Sequence, residues 1–273
     1  MTRSASAFVP GHVTGFFSAH SDEDPTKAGS RGAGITLADG VDVTVEPGRG
    51  LTLNGEPADV EAVDRVLRAL RVEASVVAET SLPLGAGFGV SGALALGTVL
   101  GANELHECGL SENELVTVAH GAEVQAGTGL GDVVAQARGG VPIRLEPGGP
   151  NHGKLDGVPT RERVEYVTFG ELSTEAVLSG DTDALTLAGE RALSTLVSEP
   201  TMGTFMRASR RFARETDLLT GETRSAIEGV NDAGGEASMA MLGETVFALG
   251  TGLTDAGYDA RVSEICHPGA YLE

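Results

Sequence analysis

The stretch of sequence that decides the fold is Pro83-Leu84-Gly85-Ala86-Gly87-Phe88-Gly89-Val90-Ser91-Gly92-Ala93. A predicted strand over 72–78 precedes it, and a largely apolar run with no charged residue before Glu104 predicts a buried helix over 90–104. Glycines let backbone N–H groups point into a turn without a Cβ in the way, and a helix N-terminus carries partial positive charge. A strand, a glycine loop and a helix in this order therefore predict an anion site suited to the phosphates of a nucleotide.

This glycine loop differs from two common phosphate-binding patterns. It does not end in Gly-Lys-Ser/Thr, as a Walker A loop does, and Val90 stands where a dinucleotide fingerprint has its third glycine. Ser91 lies in the first turn of the predicted helix, where its hydroxyl is placed to reach a phosphate or Mg²⁺. The alternative interpretation is a glycine-packed helix contact with nothing bound.

Two carboxylates follow on the next part of the chain. A capping box of Ser111 and Glu114 predicts the start of a helix that contains Glu123, and Asp132 follows a glycine-rich turn nine residues later. Phosphoryl transfer needs one carboxylate to hold Mg²⁺ and another to accept the proton of the acceptor hydroxyl. Without the glycine loop, Glu123 fits a solvated helix residue and Asp132 a turn residue that caps the next segment.

The order of the predicted elements indicates an α+β protein, because strands and helices mix without regular alternation. A first strand over 5–9 is predicted to stop at Pro10-Gly11, and the glycine-punctuated residues 12–33 predict a loop. Asp39-Gly40 predicts a hairpin turn. Residues 146–162, rich in Pro and Gly, predict a linker between domains at 1–150 and 160–273. Beyond the linker the predicted elements are a strand over 164–169, helices over 173–178, 181–197, 201–216 and 222–230, and strands near 238–242, 245–249 and 259–265.

The composition describes an acidic globular chain. Of its 273 residues, 41% are hydrophobic, and the net charge is −20, which argues against disorder and against nucleic acid or an anionic membrane as a partner. Two cysteines are too few for a disulfide framework and the N-terminus has no signal pattern, so a cytoplasmic protein is expected. Only Lys27 and Lys154 are lysines, which favours a halophilic source; an ordinary acidic enzyme from a GC-rich genome is the alternative.

Three motifs in order resemble those of the GHMP kinases, the family of galactokinase and of homoserine, mevalonate and phosphomevalonate kinases. Residues 83–93 resemble the second motif, Pro-x-x-x-Gly-Leu-Gly-Ser-Ser-Ala-Ala, with departures at Phe88, Val90 and Gly92. Residues 5–13 resemble the first motif, and Gly234-Gly235-Glu236-Ala237-Ser238-Met239 resembles the third. The segments 8–17, 29–34 and 127–140 are similar to the archaeal branch that phosphorylates (R)-pantoate to 4-phosphopantoate on the route to coenzyme A.

The resemblance implies a two-domain GHMP-kinase fold, with an N-terminal ribosomal-protein-S5-like domain and a C-terminal ferredoxin-like α/β sandwich. It implies ATP as co-substrate with Mg²⁺, which Ser91 and Glu123 would hold, and Asp132 as the catalytic base. His12 replaces the Lys or Arg common in the first motif and is a candidate for contact with the acceptor. The ATP phosphates would be bound by Pro83, Gly85, Gly87, Gly89, Ser91 and Gly92.

Pantoate carries a carboxylate and two hydroxyls, so its site needs a fixed cation. Arg144 is the first candidate because its planar guanidinium pairs carboxylates bidentately; the alternative is a surface arginine on an edge strand. Arg31 is the second candidate, with Ser30 as a group that binds a hydroxyl. Other functions left open are a kinase of the same fold for shikimate, homoserine or mevalonate, and a non-catalytic metabolite sensor. A homodimer is compatible with each.

Overall fold

Two long antiparallel strands form the centre of the larger sheet. In the computed structural model, which describes residues 3–170 and 183–273, β1 spans Ala5–His20 and β2 spans Gly29–Glu46. The sheet runs in the order β12-β1-β2-β5-β3-β4, and β6 and β7 extend it from β2. The further strands are β3 (Gly50–Leu53), β4 (Glu56–Ala58), β5 (Ser75–Thr80), β6 (Pro142–Glu146), β7 (Lys154–Gly157) and β12 (Tyr271–Leu272).

The predictions that the first strand stops at Pro10-Gly11 and that Asp39-Gly40 forms a hairpin turn are wrong, and of the loop predicted over 12–33 only residues 21–28 lie outside the two strands. Glycine in these strands allows close approach rather than a turn: a Cβ on Gly15 would collide with Ser209 and Phe205 of a packed helix. Asp39-Gly40 lies at a bulge, where the register of β2 shifts opposite Pro10-Gly11 and the strand continues.

The helices of the first part pack on one another and on the larger sheet. They are α1 (Glu61–Leu70), α2 (Val90–His106), α3 (Glu112–Ala126) and α4 (Asp132–Arg138). α2 is buried along most of its length between β1 and β2 on one side and α1 and α3 on the other. Gly97 and Gly101 allow this contact, because a Cβ there would lie 2.5 Å from Val43 and 2.7 Å from Val45. The predicted buried helix and the capping box of α3 are confirmed.

A second antiparallel sheet has the order β11-β8-β10-β9. Its strands are β8 (Arg163–Gly170), β9 (Ala237–Ala240), β10 (Glu244–Leu249) and β11 (Arg261–Glu264), and its helices are α5 (Asp183–Ser198), α6 (Met202–Glu215), α7 (Gly221–Asp232) and α8 (Gly252–Asp255). These elements agree with those predicted, except that the short helix α8 was not predicted and the helix predicted at 173–178 lies outside the described residues. The predicted linker over 146–162 contains β7, which pairs with β6.

Two hydrophobic cores share the first strand. Val9 packs in the core around α2, whereas Val13, Phe16 and Phe17 pack with α5 and α6 in the other. The α+β prediction is confirmed, and the division at 1–150 and 160–273 stays a prediction. Among the described residues, no helix is both long enough and apolar enough to cross a bilayer.

Candidate active site

The glycine loop between β5 and α2 has the backbone that its composition predicts. Gly85, Gly87 and Gly89 have φ of +68°, +88° and +65°, a region that residues with a Cβ rarely adopt. Gly89 is the N-cap residue of α2, so the first free N–H groups of that helix open onto the loop. Thr245 of β10 donates a hydrogen bond of 2.8 Å to the carbonyl of Ala86. The loop is therefore held between α2 and the second sheet.

Ser91 and Glu123, predicted as a pair, are in contact. The Ser91 hydroxyl donates to Glu123 Oε1, and the Thr128 hydroxyl donates to the same oxygen at 2.8 Å. Glu123 is only 2% exposed, and burial raises the pKa of its carboxyl to about 7, although both hydrogen bonds act in the opposite direction. Gly129 makes room for it, since a Cβ there would collide with Glu123 Oε2. Thr128 was missed by the sequence reasoning; its hydroxyl inside the glycine turn was the available signal.

This oxygen-rich cluster fits Mg²⁺. Two hydroxyls and a buried carboxylate are hard ligands, and Mg²⁺ in kinases commonly binds one or two carboxylates together with substrate phosphates and water. Among the described residues, no group of three or more His, Cys, Asp and Glu side chains forms a metal site. The remaining ligands would therefore come from the nucleotide and from water.

Asp132, at the start of α4, pairs with the fully buried His12. His12 Nδ1 lies 2.7 Å from Asp132 Oδ1. Burial lowers the pKa of His12, despite the hydrogen bond and charge of Asp132, so a neutral imidazole donates its Nδ1–H. Burial acts to raise the pKa of Asp132, but the hydrogen bond from His12 and the charge of Arg144 leave it below its usual value. Asp132 is thus an ionised carboxylate that is still 22% exposed to the site.

Arg144 and Ser30 meet beside Asp132. With Thr14, Phe17, Leu130, Gly131 and Leu242 they line one small pocket. Arg144 is 1% exposed, and its Nε and Nη1 have no hydrogen-bond partner among the residues that the structure describes. Burial lowers the pKa of Arg144 to about 10, which leaves it cationic at neutral pH. A Cβ on Gly131 would lie 2.5 Å from Ser30 Oγ and 2.6 Å from Arg144 Nε, so only glycine fits there.

Arg31 has different neighbours from Ser30. Its Nε donates to the carbonyl of Leu145 at 2.7 Å and its Nη1 to Glu190 Oε2 at 2.8 Å. Successive residues of a strand point to opposite faces, so Arg31 points away from the pocket that Ser30 lines. The structure brings Ser30, Arg144, His12 and Asp132 together, and it places the side chain of Arg31 outside this group, on the other face of β2 and against Glu190 of α5.

Comparison with known proteins identifies related sequences and folds. A model of the GHMP kinases N terminal domain matches residues 60–140. The pantoate kinase of Thermococcus kodakarensis is 36% identical over 261 residues, which covers 89% of this chain and 86% of that protein. The pantoate kinase of Methanocaldococcus jannaschii is 34% identical over 250 residues, with coverage of 89% and 91%. A solved structure described as a phosphotransferase related to the CoA biosynthesis pathway has a TM-score of 0.89 at 32% identity, with 99% of both chains covered.

Proposed function

Since this chain belongs to the pantoate kinase family of the GHMP kinases, we propose that it transfers the γ-phosphate of ATP to the primary hydroxyl of pantoate, with Asp132 as the base. Family membership makes it an ATP-dependent small-molecule kinase that phosphorylates pantoate. ATP as co-substrate also agrees with the cytoplasmic location expected from the sequence. The assignment of residues below is our proposal.

The buried guanidinium of Arg144 is the observation that supports the acceptor site best. A buried cation without a hydrogen-bond partner is costly, and a carboxylate that accepts a hydrogen bond from the guanidinium would lower that cost. Pantoate has such a carboxylate. With the carboxylate on Arg144 and a hydroxyl on Ser30, the rest of the molecule extends within the pocket toward Asp132.

The triphosphate of ATP is proposed to bind on the side of Asp132 opposite the acceptor pocket. The backbone from Gly85 to Gly92 and the N-terminus of α2 supply N–H donors and partial positive charge for it. Ser91, Thr128 and Glu123 are placed to hold Mg²⁺ against the phosphates. When bound, the ion would neutralise charge that develops on the transferred phosphoryl group.

Asp132 is placed to take the proton of the attacking hydroxyl. His12 engages Oδ1, which leaves Oδ2 available as the acceptor. Because His12 is neutral, it orients and stabilises the carboxylate rather than supplying permanent charge. Positive charge in the pocket comes from Arg144 instead.

The test is ADP release from ATP and Mg²⁺ with pantoate, shikimate, homoserine or mevalonate as acceptor. We expect turnover with pantoate alone. Comparable turnover with another acceptor, or none with pantoate, would contradict the proposal.

Arg144→Ala tests the acceptor site. We expect the KM for pantoate to rise at least 100-fold, with the KM for ATP changed less than threefold, because only the carboxylate loses its partner. The control substrate is 2,2-dimethyl-1,3-propanediol, which keeps the reacting hydroxyl and lacks the carboxylate. Arg144→Ala should abolish the preference of the wild-type enzyme for pantoate over this diol, and an unchanged preference would exclude the assigned role.

A further inference from the structure

Gln136 lies between the phosphate loop and the catalytic base. It follows Asp132 by one helical turn, so the two side chains share a face of α4. Gln136 is completely buried, and its Nε2 donates a hydrogen bond of 2.9 Å to the carbonyl of Gly89. Gly89 ends the glycine loop and is the N-cap residue of α2. One side chain thus connects the helix of the base to the loop that would bind the phosphates.

The contact between this face of α4 and the loop is tight. A Cβ on Gly89 would lie 3.1 Å from both Gln136 Nε2 and Asp132 Oδ1. On Gly92 it would lie 3.1 Å from Gln136 Oε1 and 3.3 Å from Asp132 Cβ. The space beside both glycines is therefore filled by the two side chains of α4, so the distance between loop and helix depends on them.

Packing alone does not account for a glutamine here. Its Oε1 is buried without a hydrogen-bond partner in the described part of the chain, a state that an apolar side chain of similar size would avoid. Rotation of the carboxamide by half a turn would not give Oε1 a hydrogen-bond donor, because Oε1 would then face the carbonyl oxygen of Gly89. What distinguishes glutamine from methionine at this position is the hydrogen bond to the loop.

We propose that Gln136 is a positioning residue for phosphoryl transfer, which holds the phosphate loop at Gly89 in a fixed relation to the carboxylate of Asp132. The proposal rests on the function proposed above, in which the loop binds the donor phosphates and Asp132 is the base. Displacement of reacting groups by about 1 Å can cost 100-fold in rate, so a single hydrogen bond at this junction has a kinetic effect.

Gln136→Met tests the proposal, because methionine has a similar length and volume and cannot donate to Gly89. The fold should tolerate it, since α4 is also held by the backbone bond from Ala270 N to Gln136 O at 3.0 Å. We expect kcat to fall at least tenfold, with the KM for pantoate and the dissociation constant for ADP each changed less than threefold. Gln125→Met, the same substitution at an exposed residue of α3, is the matched control and should keep kcat within twofold of wild type.

The same substitution in an Asp132→Asn background separates positioning from packing. If Gln136 acts through the base, its loss should cost less than threefold once the base is gone. An equal loss in both backgrounds would overturn the proposal, as would a Gln136→Met enzyme with kcat within twofold of wild type. A wild-type protein inactive on pantoate would instead contradict the proposed function itself.

Gly92→Ala provides a second variant that keeps Gln136 in place. Its Cβ pushes against the carboxamide, so kcat should fall in the single variant. In the double variant Gly92→Ala/Gln136→Ala, kcat should be no lower than in the less active of the two single variants. Additive losses would contradict a shared contact. Gly101→Ala, on the same helix and facing Val45, should lower the melting temperature and leave kcat within twofold.

Discussion

Three glycines make room for four polar side chains of the site. A Cβ on Gly34 would collide with His12 Nε2, one on Gly129 with Glu123 Oε2, and one on Gly131 with Ser30 and Arg144. Each glycine lies on a different element from the side chain that it accommodates. Part of the high glycine content therefore reflects space for buried polar groups rather than turns.

His12→Ala should move the acid limb of the kcat/KM profile to higher pH. The hydrogen bond from His12 helps to hold the pKa of Asp132 below its usual value, so its removal raises that pKa and protonates the base at a pH where wild type is still active. We expect kcat to fall roughly 10- to 100-fold at neutral pH. The measurement is the pH profile with pantoate, with the exposed His152→Ala as control. An acid limb at the wild-type position would show that His12 does not act on Asp132.

Glu123→Gln should stabilise the Mg²⁺-free protein at alkaline pH. The folded-state pKa of Glu123 is raised to about 7 from 4.5, so the folded state favours the protonated form and wild type loses stability as pH rises between these values. The loss amounts to about 3 kcal/mol in full, and the neutral glutamine avoids it. Urea unfolding in EDTA at pH 5 and pH 8 measures it, with exposed Glu56→Gln as control. A difference between variant and wild type that is the same at both pH values would contradict the raised pKa.

At the level of elements, local patterns predicted helices better than strands. The apolar run of α2 and the capping box of α3 each lie within one segment, so both helices could be predicted without knowledge of the rest of the fold. Local patterns do not predict the strands around Gly15 and Gly40. Gly15 allows a close contact with Phe205 and Gly40 lies at a bulge opposite Pro10, and both features depend on residues far away in sequence.

The candidate site was predictable where motifs mark it. Ser91 and Glu123, which the resemblance implied as a pair, are in contact. Arg144, chosen because a guanidinium pairs with carboxylates, is buried in the same pocket as Asp132 rather than exposed at an edge strand. Gln136 and Glu190 could not be found in the same way. Their importance depends on partners such as Gly89 and Arg31, which lie far away in sequence and are brought close only by the fold.

Glu190→Gln should weaken pantoate binding through the strands that line the pocket. Glu190 on α5 pairs with Arg31, and Arg31 holds the carbonyl of Leu145, next to Arg144. Loss of this pair should raise the KM for pantoate about three- to tenfold, equivalent to about 1 kcal/mol, with the KM for ATP unchanged. Glu215→Gln is the control, because its pair with Arg191 also involves α5 and lies at the surface. Equal effects of both variants would exclude a specific role for Glu190.

At the level of the whole molecule, charge opposes folding. A net charge of −20 is distributed over a surface whose ion pairs are mostly exposed, and such pairs contribute little each. Repulsion among uncompensated carboxylates therefore remains, and dissolved salt is the agent that can screen it.

Molar KCl should stabilise the protein. We expect the melting temperature to rise by roughly 5 °C or more between 0.1 and 2 M KCl, with most of the rise at the lower concentrations where screening changes fastest. The measurement is thermal unfolding by circular dichroism across the KCl series. A melting temperature that stays constant would favour the alternative of an ordinary acidic enzyme from a GC-rich genome.

The pairing of β1 with β12 has a consequence for synthesis on the ribosome. After Ala7 and Phe8 are translated, more than 260 further residues are added before their partners Tyr271 and Leu272 are made. Until then the outer edge of β1 has unpaired N–H and C=O groups, the kind of edge that joins with strands of other chains. A nascent chain of this enzyme therefore carries an open sheet edge until Tyr271 and Leu272 are made, and slow decoding before residue 271 prolongs its exposure to aggregation.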